Sequence, residues 1–156
     1  MTTKHEHLLE SYLSTLSETE RKNIATINAD HFCADEFNAN ECAKLVNEGK
    51  KRATCSLKVG YEKENAPLPK QSDLTIVLDW SQNPVCIIKT HKVETKPFKE
   101  IDAEFAAMEG EGDGSFKWWQ REHAHFFSEY AKEISVSFNE DSEIVLEYFE
   151  KVYPIE

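Results

Sequence analysis

The spacing of hydrophobic and polar positions changes period several times along the chain. Residues 4–16 place Leu8, Leu9, Tyr12, Leu13 and Leu16 on one stripe of an amphipathic helix. Ser17-Glu18-Thr19-Glu20 is a capping box, so a second helix is expected to start there and run to about residue 29. Together they predict an N-terminal helical hairpin over 1–29, packed on the rest of the chain as scaffold or offering a dimer contact. Residues 31–37 read as an irregular connector with Phe32 and Phe37 as aromatic anchors. Helical spacing returns with Cys42, Leu45 and Val46, with Asn38 as the expected cap, and stops at Gly49. A strand is expected over 53–59, then an extended loop over 61–72 that contains Pro67 and Pro69.

Alternation takes over in the second half. Residues 74–80 form a dense β-branched run, Ser81-Gln82-Asn83-Pro84 is a turn signal, and 85–95 supplies the partner strand of a hairpin. Pro97 breaks that strand, and 102–108 reads as a short helix. Residues 116–132 repeat Phe116, Trp119, Phe126, Phe127 and Tyr130 at helical spacing, and 143–153 closes the chain as a strand. Helices and strands in this order predict an α+β fold, and so few apolar strands favour a small curled or barrel-like sheet with helices around it.

Composition narrows the function. A chain of 156 residues with 40% hydrophobic and 30% charged residues suits one domain with one core. No apolar run approaches the roughly 20 residues that span a bilayer, and the first residues carry no secretion signal, so a cytoplasmic location without membrane contact is expected. The four cysteines at 33, 42, 55 and 86 are scattered, which predicts free thiols, with Cys55 and Cys86 as small buried hydrophobes. Neither His31-x-Cys33 with Cys42 nor His123-x-His125 makes a recognisable zinc set, so no metal and no cofactor are expected. The net charge is −11, yet residues 49–70 carry six Lys or Arg against Glu62 and Glu64. A small cationic mouth in an acidic body suits a nucleoside or short RNA better than a long duplex.

Two stretches carry candidate chemistry. In Gly49-Lys50-Lys51-Arg52-Ala53-Thr54-Cys55-Ser56 a cationic cluster follows a helix stop. Some of that charge answers the negative helix end, but a lysine amine and a threonine hydroxyl are also ingredients of nucleophilic or base catalysis. Residues three apart on a strand face opposite ways, so Lys51 and Thr54 converge only if Lys51 still lies in the turn. Desolvation and the neighbouring Lys50 and Arg52 would then lower the Lys51 pKa towards neutrality. In Glu109-Gly110-Glu111-Gly112-Asp113-Gly114-Ser115 glycines alternate with carboxylates. This is either a tight functional loop or a connector whose Ser115 caps the next helix. Tyr61 and Trp119 are candidates to stack on a base, since Trp118 and Trp119 cannot both face the core equally.

These stretches, with the Leu68-Pro69-Lys70 segment ahead of a strand and the closing Tyr148-Phe149-Glu150-Lys151-Val152-Tyr153-Pro154, resemble the ASCH domain family over about residues 30–154. The resemblance implies an ASCH domain over 30–156 with a PUA-like fold, a small mixed β-barrel with flanking helices, and an N-terminal extension as in longer bacterial members. The family signature is Gly-x-Lys-x-x-Glu-x-Arg. This chain keeps Gly49 and Lys51 but has Thr54 and Ser56 at the last two positions. In that respect it is similar to the subgroup that hydrolyses acetylated cytidine with a Lys/Thr/Glu site. Carried over, the catalytic set is Lys51, Thr54 and Glu109, with Glu111 as the alternative acid. Lys50, Arg52, Tyr61, Glu111 and Trp119 would contact substrate. Other members bind or cut RNA, so the same mouth could serve an RNA-binding module or ribonuclease, as a monomer or homodimer.

Overall fold

The computed structural model of the protein describes residues 1–155. Five strands form one sheet in the order β1-β3-β4-β5-β2. They are β1 (Ile27–Asp30), β2 (Ala53–Leu57), β3 (Leu74–Leu78), β4 (Pro84–Pro97) and β5 (Glu143–Tyr153). Among the described residues only the β1–β3 pair is parallel. Six helices surround them: α1 (Thr3–Leu13), α2 (Glu18–Lys22), α3 (Glu36–Asn47), α4 (Lys58–Lys63), α5 (Ala103–Glu109) and α6 (Phe116–Glu133). The α+β class is as the sequence predicts.

The sheet is open, with β1 and β2 as its edges, in place of the barrel that the resemblance implied. The start of the β2 edge is capped by other groups: the Arg52 amide donates to the Met108 carbonyl at 2.7 Å, and the Lys51 amine to the Ala53 carbonyl at 3.0 Å. Backbone polar groups satisfied in this way no longer invite another strand.

The 14-residue β4 organises the rest. Its first half pairs with β3 and most of its length with β5, and bulges near Ile87/Ile88 and Thr90/Lys92 bend it between the two. Alternation along β3 sends Leu74, Ile76 and Leu78 towards Leu9 and Tyr12 of α1, and Val77 towards Ala43 and Val46 of α3. A third apolar cluster joins Ala53, Leu57, Ile144 and Leu146 to Phe105 of α5 and Trp119 and Phe127 of α6.

Four elements differ from the sequence expectation. The second helix stops at Lys22, because Ala25 and Leu74 already exchange backbone bonds with Ser72 and Thr26, committing the following residues to β1. Asp35, not Asn38, caps α3: its carboxylate accepts from the Asn38 amide at 2.9 Å, and a carboxylate also answers the positive helix end. The strand after Gly49 ends at Leu57, and α4 occupies the start of the expected loop. Gly60 permits this, since a Cβ there would lie 2.6 Å from the Tyr130 hydroxyl on α6. Ser115 caps α6 as expected, accepting from the Trp118 amide.

Candidate functional site: a buried chain of charges

Lys51 lies between the end of α3 and the start of β2. Gly49 leaves the helix at φ 78°, and the amides of Lys50 and Lys51 both return to the Leu45 carbonyl. That tight exit aims the Lys51 side chain inward, where only 2% of it is exposed. Its three N–H donors meet three acceptors: the Ala53 carbonyl at 3.0 Å, Glu109 Oε2 at 3.3 Å and Glu111 Oε2 at 2.7 Å. The Phe32 ring lies 5.4 Å away.

The glycine loop delivers both carboxylates. Glu109 is the last residue of α5 and is buried; Gly110 follows at φ 65° and turns the chain so that Glu111 also faces Lys51. A Cβ on Gly110 would sit 2.5 Å from the Lys50 carbonyl oxygen, and one on Gly112 would overlap the Trp118 indole. Gly110→Ala is therefore expected to cost more stability than Gly49→Ala, which has a similar φ but open space around it. Conformation alone costs roughly 1–2 kcal/mol at either site. Chemical denaturation of the two variants measures the difference.

His123 completes the chain from α6. Its Nε2 is 3.3 Å from Glu109 Oε2 and its Nδ1 is 2.9 Å from the Trp119 carbonyl. Both neighbours offer acceptor atoms, so the protonated imidazole satisfies both contacts. The ring stacks on Trp119 at 4.3 Å. Lys51, with His123 when protonated, offsets the charge of Glu109 and Glu111.

The pKa directions follow from burial set against these charges. Burial works against the Lys51 charge, but Glu109 and Glu111 outweigh it and hold the amine above its ordinary value. The expected fall towards neutrality is overturned: exposed Lys50 pairs with Glu48 at 3.5 Å, and the groups against the Lys51 amine are acids. Burial would raise Glu109, yet Lys51 and the His123 hydrogen bond keep it far below the carboxylate range. Burial raises Glu111 more than Lys51 lowers it, and Glu109 adds to the rise. Burial disfavours charged His123, but Glu109 wins and lifts its pKa above 6.5. A raised folded pKa gives stability fully present below the unfolded value and lost as pH rises through the folded one. The stability difference between the parent and His123→Gln is accordingly expected to be largest below pH 6.5 and to shrink above it. Urea unfolding across pH measures this.

The other sequence candidates are placed apart from this centre. Alternation along β2 puts Ala53, Cys55 and Leu57 on the face of the third apolar cluster, with Cys55 against Glu109, and sends Thr54 to the opposite face. Thr54 stands across from Glu147, which accepts the Thr90 hydroxyl at 2.6 Å. Tyr61, on α4, bonds to Ser56 and lines a shallow cavity of about 420 Å³ with Lys58 and Asn65. Trp119 is core, 2% exposed and stacked on Phe98 and Phe116, so it positions His123 and cannot receive a base. Arg52 is exposed. His123 was the residue sequence reasoning missed in this role. Its signal is a polar residue within the stripe Phe116, Trp119, His123, Phe127.

Among the described residues, two sets bring possible metal-donor atoms within 4.8 Å of one another: Cys55, Glu109 and His123, and Cys33, Cys42 and Glu111. The Lys51 ammonium already sits on both carboxylates, so a cation at either set would have to displace it or share its acids. No described helix is long and apolar enough to cross a membrane.

Fold and site together define a mixed α+β domain that holds a buried lysine between two glutamates at the helix-to-strand junction. The chain belongs to the ASCH domain family, whose model matches residues 28–153. It is similar to the crystal structure of an ASCH domain from Lactobacillus crispatus JV V101, with 41% identity and a TM-score of 0.94 over 99% of this chain and 97% of that one. It is also similar to a protein of Enterococcus faecalis V583, with 30% identity and a TM-score of 0.82 over 97% and 90% of the two chains. No curated protein matches it.

Proposed function

We propose that the protein hydrolyses the amide of a small acylated nucleoside such as acetylated cytidine, with Glu111 and Lys51 as the reacting pair. The observation that carries this reading is the contact of 2.7 Å between a buried Lys51 and a Glu111 that keeps 19% of its side chain exposed. Glu111 reaches solvent, and burial raises its pKa, which suits a group that must take and return a proton. Its carboxylate draws a proton from water, the hydroxide adds to the acyl carbon, and the positive charge of Lys51 behind Glu111 favours the resulting oxyanion. The protonated Glu111 then delivers its proton to the departing amine as the carbon–nitrogen bond breaks. Glu109 and His123 act as positioning residues that keep Lys51 charged and aimed. Lys51 is a cation here and not the base, Glu109 is too firmly ionised to be the acid, and Thr54 takes no part.

The acidic body and the balanced charges of the site favour an uncharged substrate. Incubation with an acetylated cytidine nucleoside, followed by chromatography, tests the reading: the parent should form cytidine and Lys51→Ala should not. Turnover should respond little to salt. A second reading, binding of short RNA, rests on the cavity that joins Lys58, Tyr61 and Asn65. Retention of RNA that falls steeply with salt, without turnover, would favour it.

A further inference from the structure

Cys33 and Cys42 adjoin the site without a part in the proposed hydrolysis. Cys33 lies in the connector between β1 and α3, is exposed, and adopts φ 66°. Cys42 is buried on α3. Their sulfurs are 3.5 Å apart, and Cys42 Sγ lies 3.7 Å from Glu111 Oε1. A disulfide needs about 2.05 Å between sulfurs. Closing the gap falls to the connector that carries Cys33, since Cys42 is fixed on α3.

We propose that Cys33 and Cys42 are a modification site, a thiol pair that hydrogen peroxide converts to a disulfide beside the Lys51–Glu111 contact. The Cys33 thiolate attacks one peroxide oxygen, the O–O bond breaks, and the departing hydroxide takes a proton to leave as water. Cys33 is then a sulfenic acid. Cys42 loses its proton to Glu111 and attacks the Cys33 sulfur; the S–S bond forms, the S–O bond breaks, and the second hydroxide collects that proton as water. Two thiols and one peroxide give one disulfide and two waters.

The surroundings assign these roles. The hydrogen bond between the two sulfurs lowers the Cys33 pKa below 9.0 despite partial burial, with Lys51 assisting and Glu111 opposing. Cys42 is raised by the same bond and by burial, so it keeps its proton until Cys33 has reacted. Burial lifts Cys55 well above its ordinary value and Cys86 to about 12, which keeps both in the thiol form. Exposed Cys33 is thus the entry point and Cys42 the resolving thiol. Oxidation also removes the Cys42 S–H, the one proton that Cys33 and Glu111 compete for, which couples the oxidant to the reacting pair.

The test uses the full chain, reduced and freed of metal by a chelator, exposed to equimolar peroxide, then alkylated and mapped by peptide mass. The expected result is loss of two of the four free thiols, a peptide linking Cys33 to Cys42, and reversal by dithiothreitol. Cys33→Ser should slow thiol loss by about tenfold or more. Cys42→Ser should leave Cys33 as a sulfenic acid that a cyclic 1,3-dione traps. Full alkylation of Cys33 and Cys42 after peroxide, or oxidation of Cys33 in the parent without a link to Cys42, would overturn the proposal. Mapping needs no turnover, so the hydrolase reading can fail while this one stands.

Discussion

Lys51→Met is expected to lower the unfolding free energy by about 3–5 kcal/mol, because it strands buried Glu109 and half-buried Glu111 without their cation. Typical domains hold only about 5–15 kcal/mol, so the variant will be marginal. The loss arises from Glu109 and Glu111, which would face each other as like charges after Lys51 is gone. His123 then remains beside Glu109 but does not reach Glu111. Adding Glu109→Gln to Lys51→Met removes the more deeply buried charge and should recover part of the stability. Urea midpoints of the parent, both single variants and the double variant measure the coupling. Additive losses would mean that the pair contributes nothing.

Glu111→Gln is expected to reduce turnover of acylated cytidine by about 10²–10⁴-fold, the range for loss of a positioned acid–base group. Its effect on the fold should run the other way from that of Lys51→Met. A carboxyl whose folded pKa lies above its unfolded value destabilises the native state once pH passes the unfolded value, here 4.5. Replacing it with an amide removes that cost, so the urea midpoint should hold or rise at neutral pH. Activity and stability therefore separate at Glu111 and fall together at Lys51. The parent rate should increase with pH up to the raised pKa of Glu111, since the carboxylate must be ionised to accept a proton from water. The Gln variant should lack that limb.

Much of this arrangement was legible in the chain because it is local. The hairpin of β3 and β4, the long aromatic helix with its Ser115 cap and the closing strand all follow from periodicity and turn residues within a few positions. The glycine loop also carried its meaning openly, since Gly110 and Gly112 take left-handed φ and approach other groups closely. Sequence reasoning named Glu109 and Glu111 as alternative acids, and the structure brings both to Lys51. What stayed hidden depends on distant partners. The short strand Ile27–Asp30 makes sense only beside Leu74–Val77, which complete it in parallel register. The direction of the Lys51 pKa could not be read from its cationic neighbours, because the acids that set it lie 58 and 60 residues away. Trp119 looked available for a ligand until the third apolar cluster closed around it.

The central claim is that the Lys51–Glu111 pair turns over an acylated nucleoside. The most direct measurement is the time course of cytidine formation from acetylated cytidine by the parent and by Glu111→Gln, at neutral pH, with equal folding confirmed by melting. The account predicts conversion by the parent and a rate at least about 10²-fold lower for the variant. Equal rates, or no conversion by a folded parent that instead retains short RNA in a salt-sensitive manner, would contradict it.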